Sequence, residues 1–153
     1  MKERLDPGKV VPELMSAMLE LELKVRNSGL EMKLIHLVKI RASQLNGCAY
    51  CVHMHVADAR KSGETNERLD LLSTWRESPL YTARERAALS WTEALTLVAS
   101  TRAPDDVYDE LSRELNETDR VKLTMVIVAI NGWNRIAVGF RKVHSVKNAD
   151  AAA

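Results

Sequence analysis

Apolar residues recur along this chain at helical spacing, and no stretch alternates polar and apolar positions between hairpin turns. From Pro12 to Arg26, Leu14, Met18, Leu21 and Val25 share one face, Pro12 suits a first turn, and Asn27, Ser28 and Gly29 close the segment. Ser28 and Glu31 have the spacing of a capping box, which predicts a second helix through about Gln44. Asn46 and Gly47 break it, and Asn46 is the expected cap of a third helix from about Cys48 to Lys61, stopped by Ser62 and Gly63. A short helix around Glu67 to Ser73 is followed by a loop through Trp75 and Pro79. Thr82 and Glu85 repeat the capping-box pattern ahead of a helix reaching about Ser100. Pro104 opens an amphipathic helix to Leu115, and Thr118 caps a last long helix through Val121, Met125, Val128, Trp133, Ile136 and Phe140. Connections are short and there is no internal repeat. The expectation is an all-α fold: a single helical domain of about seven helices over residues 1–153, with a core at about 15–145 and a loose tail at 146–153.

Composition narrows the function class. The 153 residues are 46% hydrophobic and 28% charged, a globular mix long enough to bury a core without staples. Lys plus Arg total 22 against 21 for Asp plus Glu, a formal net charge of +1. That balance argues against a nucleic-acid or membrane-surface partner, either of which needs a basic excess. The uncharged stretches Ala87 to Thr92 and Leu123 to Asn134 fall short of the ~18 apolar residues of a transmembrane helix. Residues 1–27 contain no continuous apolar signal core. The expected location is the cytoplasm.

The chemistry gathers at Asn46-Gly47-Cys48-Ala49-Tyr50-Cys51-Val52-His53-Met54-His55. Cys48 and Cys51 are the only two cysteines, too close together to staple a secreted scaffold. On a helix, Cys51 lies ~300° and His55 ~340° from Cys48, so all three share a face, while His53 points away at ~140°. Residues three apart on a helix are ~5–6 Å apart, within the reach of a disulfide. Thiols in a first helical turn meet orphan amides and the positive end of the macrodipole, which favour the thiolate. His55, one turn after Cys51, can hydrogen-bond its sulfur and exchange a proton with it. Cys48, nearer the helix mouth, is the sulfur an outside reductant should reach more easily. Two bland alternatives stand beside this reading: cysteines that merely fill space around a structural histidine, and a zinc site. Cys48, Cys51 and His55 would give zinc three ligands, but no second Cys/His pair supplies a fourth. The expectation is no metal and no cofactor.

Two further residues are candidates. Glu93 is the only charged residue between Arg86 and Arg102, on a helix apolar around most of its circumference. A buried carboxylate needs a partner, and Glu93 can serve as a proton-relay group reaching His55 or as the structural ion-pair partner of Arg41 or Arg135. His36, twelve residues before Cys48, can approach the same site from the preceding helix. Trp75, Trp91 and Trp133 read as core or subunit-interface aromatics.

The run Leu37-Val38-Lys39-Ile40-Arg41-Ala42-Ser43-Gln44-Leu45-Asn46-Gly47-Cys48-Ala49-Tyr50-Cys51, completed by His55, closely resembles the alkylhydroperoxidase D-like proteins of the carboxymuconolactone decarboxylase family. The stretches Trp75 to Tyr81, Glu85 to Leu89, Trp91 to Thr96 and Asn131 to Arg135 resemble the same group, in order, over about residues 15–145. The resemblance implies an all-helical fold, a homo-oligomer (trimer or hexamer) and a cofactor-free dithiol peroxidase. It implies that Cys51 attacks the peroxide, that Cys48 resolves the product, and that His55 belongs to the proton relay. Better-studied members place a glutamate twelve residues before the first cysteine, where this chain has His36. Glu93 is then the preferred substitute carboxylate.

The leading functional expectation is therefore reduction of hydrogen peroxide or organic hydroperoxides, with an external dithiol reductant resetting the Cys48–Cys51 disulfide. A lactone decarboxylase, the family's other named activity, has no need of a redox-active thiol pair. A redox-sensing oligomer that responds to oxidant without turnover is the reading from outside enzymology.

Overall fold

The run Leu34 to Ile40 is buried on every side, as are Ala42 and Ser43, so the helix that carries them must be enclosed by others. In the computed structural model, which describes residues 2–145, that helix is α3 (Met32–Leu45), and α4 (Ala49–Lys61), α6 (Ala83–Thr96) and α9 (Glu117–Phe140) surround it. Ahead of it come α1 (Pro7–Val10) and α2 (Pro12–Arg26), the latter lying along α9. Between α4 and α6 come α5 (Asn66–Asp70) and a 3₁₀ segment (Leu72–Glu77), and α7 (Val98–Thr101) and α8 (Asp105–Glu114) lead to α9. The class is all-α, as the sequence predicts, with no strand among the described residues. The helices outnumber the expected seven because short ones intervene. The segment 146–153, expected to be loose, lies outside the described residues.

Two apolar clusters flank α3. One joins Leu34, Ile35 and Val38 to α6 and to Leu123, Val126 and Ile127 of α9. The other joins Leu37 and Ile40 to Leu72, Trp75 and Leu89. Ile40, Leu37 and Leu89 are fully buried, and truncating such a side chain to alanine costs about 2–5 kcal/mol. α9 is the one helix among the described residues long and apolar enough to cross a bilayer, but 44% of its apolar window is buried against the other helices. Gly132 lets α2 approach it: a Cβ there would stand 3.0 Å from Met18 Cε.

The helix boundaries depart from expectation at five points, one being that Trp75, expected in a loop, lies in the 3₁₀ segment. Ser28 and Glu31 form no box; Gly29 turns the chain at φ +89°, and α3 begins at Met32 with no side-chain cap. Asn46 ends α3 rather than starting α4, whose cap is the Cys48 side chain. The helix from Thr82 breaks at Leu97, and Thr101 Oγ1 donates to the freed Ala94 carbonyl at 2.6 Å. Asn116, not Thr118, caps α9, accepting from Asp119 N at 2.8 Å. The Thr82–Glu85 box forms as its spacing predicts, with both reciprocal bonds present.

Candidate active site

Gly47, at φ +66°, makes the sharp turn from α3 into α4, a backbone region that residues with a Cβ avoid. An amide network fixes that turn to α9. Asn46 Nδ2 donates to Asn131 Oδ1 at 3.0 Å and to Asn134 Oδ1 at 2.9 Å. Asn134 Nδ2 donates to Ser43 Oγ at 3.0 Å, and Ser43 Oγ donates to the Lys39 carbonyl at 2.7 Å. The Asn131-to-Arg135 stretch of the sequence thus holds the thiol turn in place.

Cys48 and Cys51 form a disulfide with Cα atoms 5.4 Å apart, as the i, i+3 spacing allows. Both are 2% exposed and pack with Ala42, Ile130 and Ala137. The Cys51 amide donates to Cys48 Sγ at 3.3 Å, so the first sulfur occupies the capping position of α4. Cys51, His55 and Ala59 are the buried residues of α4, and the first two share the face predicted from their spacing.

The two sulfurs face different spaces. Cys51 and His55 line a cavity of about 480 Å³ walled by α2, α4 and α9, with Met15, Tyr50, Trp133 and Phe140 among its apolar surfaces. Trp133, half-buried and packed against the apolar cluster around the two cysteines, is also a wall of this cavity. Residues Glu3 to Gly8 cover it, tied to the end of α9 by a bond from Arg4 N to the Phe140 carbonyl at 3.0 Å. Cys48 instead lines an open groove of about 410 Å³ beside Gly47, Ala49, Val52 and His53.

Burial, with help from the Lys39 cation and from His36, pushes the His55 imidazole down to about 3. His55 is therefore neutral near pH 7: it can relay or accept a hydrogen bond but does not rest as a cation. His36 is buried too, its Nε2 3.2 Å from Ser62 Oγ and its Nδ1 without a partner. Burial lowers its pKa, Asp58 partly opposes, and Lys39 and Arg26 add to the lowering.

Glu93 is a correction. Its carboxylate does not turn to His55; Oε1 accepts from Arg41 Nε at 2.7 Å and Trp75 Nε1 at 2.8 Å, and Oε2 from Arg76 at 2.9 Å. Burial alone would raise its pKa, but these donors outweigh that and hold it below the ordinary value. The expected ion pair with Arg41 is present. Glu93 ties α6 to α3 and to the 3₁₀ segment, away from the thiols.

Two charged residues that sequence reasoning passed over stand near the site. Lys39, 3% exposed on α3, pairs with Glu22 of α2. Glu22 lines the same cavity as Cys51 and His55, and its Oε2 is buried without a partner. The signal for Lys39 was available: it is the one formal charge in the apolar run from Leu34 to Ile40.

Comparison with known proteins fits this geometry. The carboxymuconolactone decarboxylase family matches residues 12–94. The uncharacterised protein YdfG of Bacillus subtilis is 40% identical over 138 residues, covering 90% of this chain and 94% of its own length. A crystal structure of a protein of unknown function from Agrobacterium tumefaciens, provisionally linked to antioxidant defence as AhpD, is 49% identical. It superposes with a TM-score of 0.94 over 95% of this chain and 100% of its own. The debrominase Bmp8 shares the fold, with a TM-score of 0.80 at 21% identity over 91% of this chain and 74% of its own. With the thiol turn, the helix-capping sulfur and the neighbouring histidine in place, the chain belongs to the carboxymuconolactone decarboxylase family and is alkylhydroperoxidase D-like.

Proposed function

We propose that the protein is a dithiol peroxidase that reduces organic hydroperoxides. The observation that carries this reading is the Cys48–Cys51 pair, with Cys51 and His55 opening onto an apolar cavity and Cys48 opening onto a separate groove. The Cys51 thiolate attacks the distal oxygen of the hydroperoxide; the S–O bond forms, the O–O bond breaks, and the alcohol leaves after taking a proton. Cys48 then attacks the Cys51 sulfenic acid; the S–S bond forms and water departs. A dithiol reductant approaching through the groove exchanges with the disulfide and restores both thiols. Apolar walls favour alkyl or aryl hydroperoxides over hydrogen peroxide. The working form is a homo-oligomer, a trimer or hexamer, in the cytoplasm.

The test is steady-state consumption of cumene hydroperoxide with dithiothreitol as reductant. Turnover beyond the protein's own thiol equivalents, abolished in Cys51→Ser, supports the reading. A single stoichiometric oxidation without turnover sinks it and favours a redox sensor.

A further inference from the structure

Attack by Cys51 needs a group that takes the thiol proton and then gives one to the leaving oxygen. Burial lowers the pKa of both the His55 and the His36 imidazole, so each is a weak resting place for a proton taken from the thiol. Glu93 is committed to Arg41, Trp75 and Arg76. Four carboxylates line the Cys51 cavity. Glu3 accepts from Val143 N at 3.1 Å and Asp6 from Gly8 N at 3.0 Å, both as local ties of the covering segment. Asp58 is 43% exposed and pairs with Lys61 at 3.5 Å. Glu22 alone among them keeps a buried oxygen that accepts from no donor. Its other oxygen is fixed by Lys39, whose charge reaches both His55 and His36. Arg26 of α2 and Lys142 beyond α9 complete the charged groups around the cavity.

We propose that Glu22 is the proton-relay carboxylate of the thiol site, supplied from α2, with Lys39 as the group that positions it. The Cys51 thiol gives its proton to the Glu22 carboxylate, directly or through neutral His55, leaving a thiolate and a carboxylic acid. The thiolate attacks the distal peroxide oxygen, the O–O bond breaks, and the carboxylic acid protonates the departing alkoxide. Thiol and hydroperoxide become sulfenic acid and alcohol, and Glu22 returns to its starting charge. The inference rests on the peroxidase reading for its second half, and only on the geometry of the cavity for its first.

The experiment uses the full chain in a Cys48→Ser background, so that Cys51 alone reports, reduced with dithiothreitol and desalted. Two rates are followed from pH 5 to 9: alkylation by iodoacetamide and sulfenic acid formation with cumene hydroperoxide. Glu22→Gln is expected to slow both at pH 7 by about ten- to a hundredfold and to move the alkylation midpoint upward, with part of the loss recovered in Glu22→Asp. A purely structural Glu22 gives the opposite sign. Gln would leave the Lys39 cation uncompensated, and a nearby cation favours the thiolate, so alkylation would speed up and its midpoint would fall. Unchanged or faster rates in Glu22→Gln overturn the proposal. Glu22→Gln/Lys39→Met, which leaves no unpaired charge, covers the case in which the single variant does not fold. It should react as slowly as the single variant is expected to, and wild-type rates in it also overturn the proposal. If wild type leaves cumene hydroperoxide untouched while Glu22→Gln still shifts alkylation, the peroxidase reading fails and the proton-acceptor role of Glu22 stands.

Discussion

The backbone amide of Cys51 donates to the sulfur of Cys48 at 3.3 Å, so one member of the redox pair caps the helix that carries the other. In the reduced protein that bond and the helix dipole favour Cys48 as thiolate, the form that must attack a sulfenic acid at Cys51. Serine is itself a good cap, so Cys48→Ser should keep the fold while removing the resolving sulfur. With one equivalent of hydroperoxide, Cys51 in that variant should accumulate as sulfenic acid, read by dimedone adduct mass. Cys51→Ser should lose most first-turnover reactivity. A dimedone adduct forming rapidly on Cys48 instead would reverse the two roles.

Glu93→Gln should act on stability rather than chemistry. It leaves the Arg41 guanidinium, 14% exposed, without its counter-charge, a loss on the order of 3 kcal/mol. Urea melts should show that drop, while the pH profile of Cys51 alkylation stays where it was. A variant of wild-type stability with a displaced thiol profile would return Glu93 to the relay.

His55 makes stability depend on pH in a fixed direction. Its pKa is about 3 when folded against 6.5 for the free side chain, so between those values the unfolded chain binds the extra proton. The His55 contribution is fully present above pH 6.5 and is lost as pH falls toward 3, at a slope of up to about 1.4 kcal/mol per pH unit. His55→Gln should flatten that part of a stability-versus-pH curve from denaturant melts. An equally steep curve in the variant would assign the dependence to other groups.

Asn134, 1% exposed, bridges Asn46 and Ser43. Asn134→Ala leaves buried polar atoms unpaired, at a cost of about 1–3 kcal/mol. Because those atoms hold the Gly47 turn, hydrogen exchange at the Cys48 amide should quicken more than at Leu123, which is buried in a different apolar cluster. Uniform acceleration at both would mean that the network stabilises the fold without specially fixing the turn.

Local signals in the sequence were legible and distant ones were not. The face shared by Cys51 and His55 follows from helical spacing alone, and the Thr82–Glu85 box needs only four residues. The Ser28–Glu31 box has the same spacing, yet Gly29 takes a left-handed turn between them, and spacing cannot report a dihedral angle. Glu93 is visible as a lone charge on an apolar helix, but its donors come from residues 52 and 18 positions away, on elements whose docking the sequence does not specify. Glu22 was harder still. It stands on a helix with a mostly exposed outer face and gains meaning only when Lys39, 17 residues on, is folded beneath it.

The separation of the cavity at Cys51 from the groove at Cys48 has a kinetic meaning. In a site with one mouth, the second reactant waits for the first to vacate it, and an excess of either blocks the other. On the proposed peroxidase cycle the oxidant meets reduced Cys51 from the cavity and the reductant meets the disulfide at Cys48 from the groove, and among the described residues none lines both spaces. Saturation with one should leave the rate constant for the other untouched, a ping-pong pattern without substrate inhibition. The turn at Gly47 is then a partition as much as a bend.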